Sequence, residues 1–298
     1  MNGRFHIRSM VSRLFVPALF LCAGLAFAAG PVKVVAAENF YGNIVEQIGG
    51  DSVRVTSVMS DPNVDPHEYE SNVEDAEAIA GADLVVENGG GYDDWMDKLL
   101  SASPSSLRIV LKGFDVAVKK LPDNEHVWYD MDNAQAVADA IAASLGKLDP
   151  TRASTFVRNS RDFGRSLAQI KEKMAQIASR SGGTPVGLTE TIFLYQTGRL
   201  GLKVLTPFEF QKAIAEGNDP PADTVVETEK QIKEKRIKVL IYNEQTVSPI
   251  TTKAQSDAKA AGIPVVGVTE TMPIGETYQT WMMRQLDELR MALAAKGS

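Results

Sequence analysis

Short β-branched runs alternate along this chain with stretches whose apolar residues recur every three to four positions. Residues 32–37 form the first run, and Phe40, Ile44, Val45 and Ile48 then repeat at helical spacing until Gly49-Gly50 stops them. Further strands are expected at 53–58, 84–86 and 109–111, then at 186–188, 204–205, 239–242 and 265–268. Between them, Ser71-x-x-Glu74 reads as a capping box opening a helix that runs to Gly81. Asp132 is placed to cap a helix with Val137, Ile141 and Leu145 on its buried stripe. The last helix should bury Tyr278, Trp281, Met282, Leu286 and Leu289. This alternation is the pattern of parallel sheets covered by helices on both faces.

One element breaks the rhythm. Asp149-Pro150 is a helix start, and from there to about residue 180 only Gly164 interrupts. Phe156, Phe163, Ile170 and Ile177 repeat every seven residues, with Leu167 and Met174 between them. A helix of about 30 residues spans about 45 Å, long for a globular protein, and its place at the midpoint predicts a strut between two halves. The expected fold class is α/β, two lobes that are each a parallel sheet flanked by helices, joined by one long α-helix. The boundaries read as an N-terminal lobe over 29–149, a connecting helix over 150–181 and a C-terminal lobe over 182–298.

Residues 1–28 read as a signal peptide. Arg4, Arg8 and Arg13 precede an apolar run ending at Phe27, and Ala26-Phe27-Ala28 gives the small-x-small pattern of a cleavage site near Ala28. The run is short of the ~20 residues a membrane-spanning helix needs. Cys22, the only cysteine, lies inside it, and Leu21 before it disfavours a lipid anchor. The expected product is an exported soluble protein without thiol or disulfide. Removal of three arginines and no acids leaves 28 basic against 38 acidic residues, a net charge of −10 that argues against nucleic acid or anionic membrane as partner.

Only two histidines then remain, and both sit among carboxylates: Asp65-Pro66-His67-Glu68-Tyr69-Glu70 and Glu125-His126-Val127-Trp128-Tyr129-Asp130. Ligands of open parallel sheets bind at the carboxyl ends of strands. His67 and His126 fall on such loops in the first half. In the second half, Thr189-Glu190-Thr191 follows the strand at 186–188, and Thr269-Glu270-Thr271 follows the strand at 265–268. Facing lobes would bring two imidazoles and two carboxylates into one cleft, a donor set for a divalent transition metal. Glu244 also follows a strand and could face the same cleft. One of Asp65, Glu68 and Glu70 could orient the His67 ring, while Trp128 and Tyr129 should pack beneath the site.

Glu38-Asn39-Phe40-Tyr41-Gly42, the His67 and His126 segments, and Thr189-Glu190-Thr191-Ile192-Phe193-Leu194-Tyr195 resemble the TroA-like metal receptors of ABC importers, over essentially the whole chain after residue 28. The resemblance implies a non-enzymatic, monomeric periplasmic receptor that captures manganese, zinc or iron between two lobes and delivers it to ABC permease membrane subunits. It implies His67, His126, Glu190 and Glu270 as ligands of one divalent transition metal ion, and a long helix that limits lobe motion. Many zinc receptors of the family carry a third histidine where Glu190 stands, and a histidine-rich loop that is absent here. Manganese receptors more often have aspartate where Glu270 stands, and Met131 replaces a frequent proline. Mn²⁺ and Zn²⁺ therefore both remain open, ahead of Fe²⁺. The alternatives are a secreted metallohydrolase, which would use the same ligand types around an open metal position, and a receptor for a metal chelate or organic solute. Neither HExxH nor a Ser/His/Asp set is present for the former.

Overall fold

The computed structural model describes residues 1, 3, 30–61, 64 and 69–295 of the 298. The expected signal segment, and His67 with Asp65 and Glu68, lie outside the described residues. Residues 31–298 cluster as one compact unit.

The unit is built on two parallel four-stranded sheets. In the first half β1 (Val32–Glu38), α1 (Asn39–Gly49), β2 (Val53–Met59), α2 (Val73–Ala80), β3 (Leu84–Glu87), α3 (Asp94–Ala102), β4 (Ile109–Lys112), α4 (Gly113–Val116) and α5 (Met131–Leu148) follow in order. Then come α6 (Ala153–Ser181), β5 (Pro185–Leu188), α7 (Leu194–Leu200), β6 (Lys203–Val204), α8 (Phe208–Ala215), α9 (Ala222–Lys233), β7 (Val239–Asn243), α10 (Pro249–Ala260), β8 (Val265–Val268) and α11 (Tyr278–Ala294). The sheet orders are β2-β1-β3-β4 and β6-β5-β7-β8, so the second half repeats the topology of the first. All eight strands expected from the sequence form, within a residue or two of their expected bounds. In both sheets the order reverses beside the first strand, which creates the crevice where such folds hold ligands.

Three helix starts differ in detail from the sequence reading. The capping box of α2 sits one residue later. Asn72 accepts from the backbone N–H of Glu74 and Asp75, and Asp75 accepts from the Asn72 N–H while also holding the Tyr69 hydroxyl. Asp130, not Asp132, caps α5, accepting from the Asp132 N–H at 2.8 Å. That leaves the Asp132 carboxylate to bind Lys171 of α6 and Arg199 of α7. Pro150 opens a 3₁₀ turn over Pro150–Arg152, and the α-helix proper starts at Ala153.

The long helix α6 buries Phe156, Phe163, Leu167, Ile170, Met174 and Ile177, the stripe read from the sequence. It touches α1 and α5 of the first half and α7 and α11 of the second. At Gly164 the Gln135 side chain of α5 packs close, its Oε1 2.2 Å from where a Cβ would sit. One hydrophobic cluster runs from Val34, Phe40 and Trp128 through this stripe to Val186, Phe193, Trp281 and Leu289, so the two sheets share a continuous core. Among the described residues no helix is long and apolar enough to cross a membrane.

Candidate metal centre

His126, Glu190 and Glu270 converge. One donor atom from each lies within 4.8 Å of the other two, and all three residues are buried. Their loops follow from the strand ends. Glu190 stands two residues beyond Leu188 at the end of β5, and Glu270 two beyond Val268 at the end of β8. His126 precedes the 3₁₀ turn Val127–Tyr129, which leads into the cap of α5.

The imidazole is oriented by Asn124, which sequence reasoning missed. Its side-chain oxygen lies 3.1 Å from both the backbone nitrogen and Nδ1 of His126. Its amide nitrogen donates to the Thr191 carbonyl at 2.8 Å, so the oxygen must face the ring. Nδ1 therefore carries the proton, which puts the ring's lone pair on Nε2. The same side chain bridges the His126 loop to the neighbour of Glu190 across the cleft.

Glu270 is held from both sides. Tyr92 of the first half donates its hydroxyl to Oε2 at 2.8 Å, and Asn243 donates to Oε1 at 2.5 Å. Its backbone N–H and that of Thr271 both donate to Gln245 Oε1, at 2.7 and 3.0 Å. Burial, then the Glu270 charge, pushes the Tyr92 hydroxyl well above its ordinary pKa, so it stays a donor. Its loss removes a bond to a buried carboxylate, and Tyr92→Phe is expected to weaken metal binding by about tenfold with the fold intact. Calorimetric titration checks this; a parent-like isotherm would exclude Tyr92 from positioning Glu270.

Glu244 does not face the cleft as its position allowed; it is exposed, and Asn243 takes the inward place. Glu244 lies one residue past the end of β7, where the chain leaves the sheet. Glu70 is exposed as well. Trp128 and Tyr129 do pack beneath the centre. Trp128 stacks on Phe40 with ring centroids 4.7 Å apart, and Tyr129 donates to the Thr269 carbonyl at 2.6 Å.

A second buried acidic group supports the Tyr92 loop. Asp93 accepts from the backbone of Asn88 and Gly89, at 2.6 and 2.7 Å. Burial, followed by the adjacent Asp93 charge, holds the Glu38 carboxyl well above its ordinary range. Burial likewise lifts Glu87 from 4.5 to about 7, against the opposing pull of Lys112, whose ammonium lies 2.9 Å away. A raised carboxyl pKa means the folded state keeps a proton that the unfolded chain has lost. Glu87 therefore lowers stability progressively as pH rises from about 4.5 to about 7. Glu87→Gln should gain stability relative to the parent across that window. Urea unfolding at its two ends tests this, and a constant difference would contradict the assignment.

The donor set fits a metal on its own chemistry. Two carboxylates and one imidazole nitrogen, gathered in a buried space, form a complement for a divalent cation of borderline hardness. Comparison with known proteins agrees. Residues 34–292 match the model of the family described as ZnuA, zinc-uptake complex component A, periplasmic. The manganese ABC transporter substrate-binding lipoprotein PsaA of Streptococcus anginosus is 26% identical over 313 aligned residues, covering 96% of this chain and 97% of that protein. The iron ABC transporter substrate-binding lipoprotein MtsA of Streptococcus pyogenes serotype M1 is 26% identical over 286, covering 88% and 89%. Among solved structures, the periplasmic zinc binding protein TroA from Treponema pallidum superposes with a TM-score of 0.77 at 20% identity, covering 89% of this chain and 100% of that one. FpvC from Pseudomonas aeruginosa in complex with Mn²⁺ gives 0.74 at 22%, covering 88% and 98%. With the two-lobed fold, the long helix and a family match over nearly all of the described chain, this protein belongs to the ZnuA family of periplasmic zinc-uptake components.

Proposed function

We propose that the protein is the periplasmic receptor of an ABC importer, binding one divalent transition metal ion as cargo and passing it to the membrane subunits of a permease. His126, Glu190 and Glu270 are three of the ligands and His67 is the fourth. The observation that carries this reading is the convergence of one imidazole and two carboxylates from three separate loops into one buried cluster. An N-terminal lobe over 29–149 and a C-terminal lobe over 182–298 contribute to it, with 150–181 as the strut and 1–28 removed on export. The cargo is Mn²⁺ or Zn²⁺. Carboxylate oxygens suit manganese, yet zinc stands above manganese in the general affinity order, so ligand chemistry leaves both. The protein acts as a monomer and performs no catalysis.

Ligation by imidazoles requires their unprotonated form. Affinity should weaken as pH falls below the reference histidine value of about 6.5, with protons released on binding near it. Calorimetry at pH 6 in buffers of different ionisation enthalpy measures that release, and buffer-independent enthalpies would count against histidine ligation. Elemental analysis of protein isolated from its native compartment without added metal identifies the cargo.

A further inference from the structure

The metal centre is buried, so an ion must shed water and pass an access route before it meets its ligands. A cavity of about 400 Å³ opens beside it, between the two halves. Gly90, Gly91, Phe114, Leu121 and Asp123 to Glu125 line one side, and Lys212 and Glu216 the other. Among the described residues, the ionisable lining groups are Asp123, Glu125 and Glu216 against the ammonium of Lys212, an excess of two negative charges. Lys212 spans the mouth, 3.4 Å from Asp123 and 3.7 Å from Glu216.

Glu125 connects this cavity to the centre. Its side chain keeps 19% of its surface exposed, and its Oε1 lies 4.0 Å from Nε2 of the fully buried His126. The backbone carbonyl of Glu125 accepts from Asn88 Nδ2 at 3.0 Å, which anchors the segment while the carboxylate reaches between cavity and cluster.

Resting on the metal-receptor reading above, we propose that Glu125 is a transient ligand on the metal's path, taking the ion from the acidic cavity and handing it to His126, Glu190 and Glu270. A carboxylate within a short step of the imidazole replaces part of the hydration shell before the final ligands engage. The same exchange run backwards assists release. Glu125 therefore sets rates in both directions and contributes little to the equilibrium. The surplus negative charge of the cavity draws cations in, an effect that weakens with salt.

The test uses the full processed protein with Mn²⁺ alone and Zn²⁺ alone, following fluorescence of Trp128, whose ring centroid is 5.2 Å from that of His126. Glu125→Gln keeps the shape and removes the charge. Association, and dissociation into excess chelator, are both expected to slow by about tenfold, with Kd moving by less than about threefold. Glu216→Lys, on the exposed rim, brings the lining charge to zero. It should slow association and flatten its ionic-strength dependence while leaving dissociation unchanged. Unchanged rates in Glu125→Gln overturn the proposal. So does a large loss of affinity with the parent's association rate, which would make Glu125 a resident ligand. Glu190→Ala run alongside separates the two readings. If it binds like the parent, the metal centre itself is misassigned; if it is inert while Glu125→Gln keeps parental rates, only the access role falls.

Discussion

Glu190→Ala and His126→Ala are each expected to lower metal affinity by more than about a hundredfold, since losing an outer partner of a ligand already costs 10- to 100-fold. Each substitution deletes a donor atom from a cluster whose members lie within 4.8 Å of one another. The two variants should differ without metal. Removing Glu190 takes one buried carboxylate from beside another, relieving repulsion, so the metal-free protein should melt no lower than the parent. Removing the His126 ring strips packing from Tyr92 and Trp128, whose centroids lie 5.8 and 5.2 Å from it, and should cost stability as well. Metal that binds only the folded state should raise the parent's melting temperature, and that rise should vanish in both variants. Isothermal titration with melting curves at matched metal concentrations gives both readouts. If Glu190→Ala and His126→Ala titrate like the parent, the ligand assignment is wrong.

Phe163→Ala should cost about 3–5 kcal/mol of stability, the range for truncating a buried aromatic residue. Phe163 is buried on the face of α6 and meets Tyr278 of α11 with centroids 5.9 Å apart. Tyr278 in turn donates its hydroxyl to the Trp128 carbonyl at 2.5 Å, so a cavity at position 163 opens inside the shared core of both halves. Because that core is continuous, denaturant should unfold the chain in one transition that shifts as a whole in the variant. Two resolved transitions, or a loss below about 1 kcal/mol, would mean that the halves are stabilised separately and that α6 is a tether.

Sequence alone carried most of the architecture. Period-two and period-3.6 patterns depend on neighbours in the chain, so the eight strands and the buried stripes of α5, α6 and α11 were readable directly. The candidate ligands were readable for a related reason. Histidines are few, and strand ends are where this topology puts its ligands, so His126, Glu190 and Glu270 could be named before their convergence was seen. His67 lies outside the described residues, and its place in the set rests on its motif.

Tertiary structure decided what surrounds those side chains. Asn124, Tyr92, Asn243 and Gln245 carry no local signal, because each acts on a partner in another loop, 67 residues away for Asn124 and Thr191 and 178 for Tyr92 and Glu270. Cap positions at Asn72 and Asp130 lie one and two residues from the expected ones, since nearby polar residues compete for the same orphan N–H groups and packing picks the winner. Likewise, only the folded chain shows Asn243 buried at the end of β7 and Glu244, just past it, exposed. Pattern along the chain fixes which face an element buries; which buried polar groups then meet is set by long-range geometry, and that is where this protein's metal chemistry is organised.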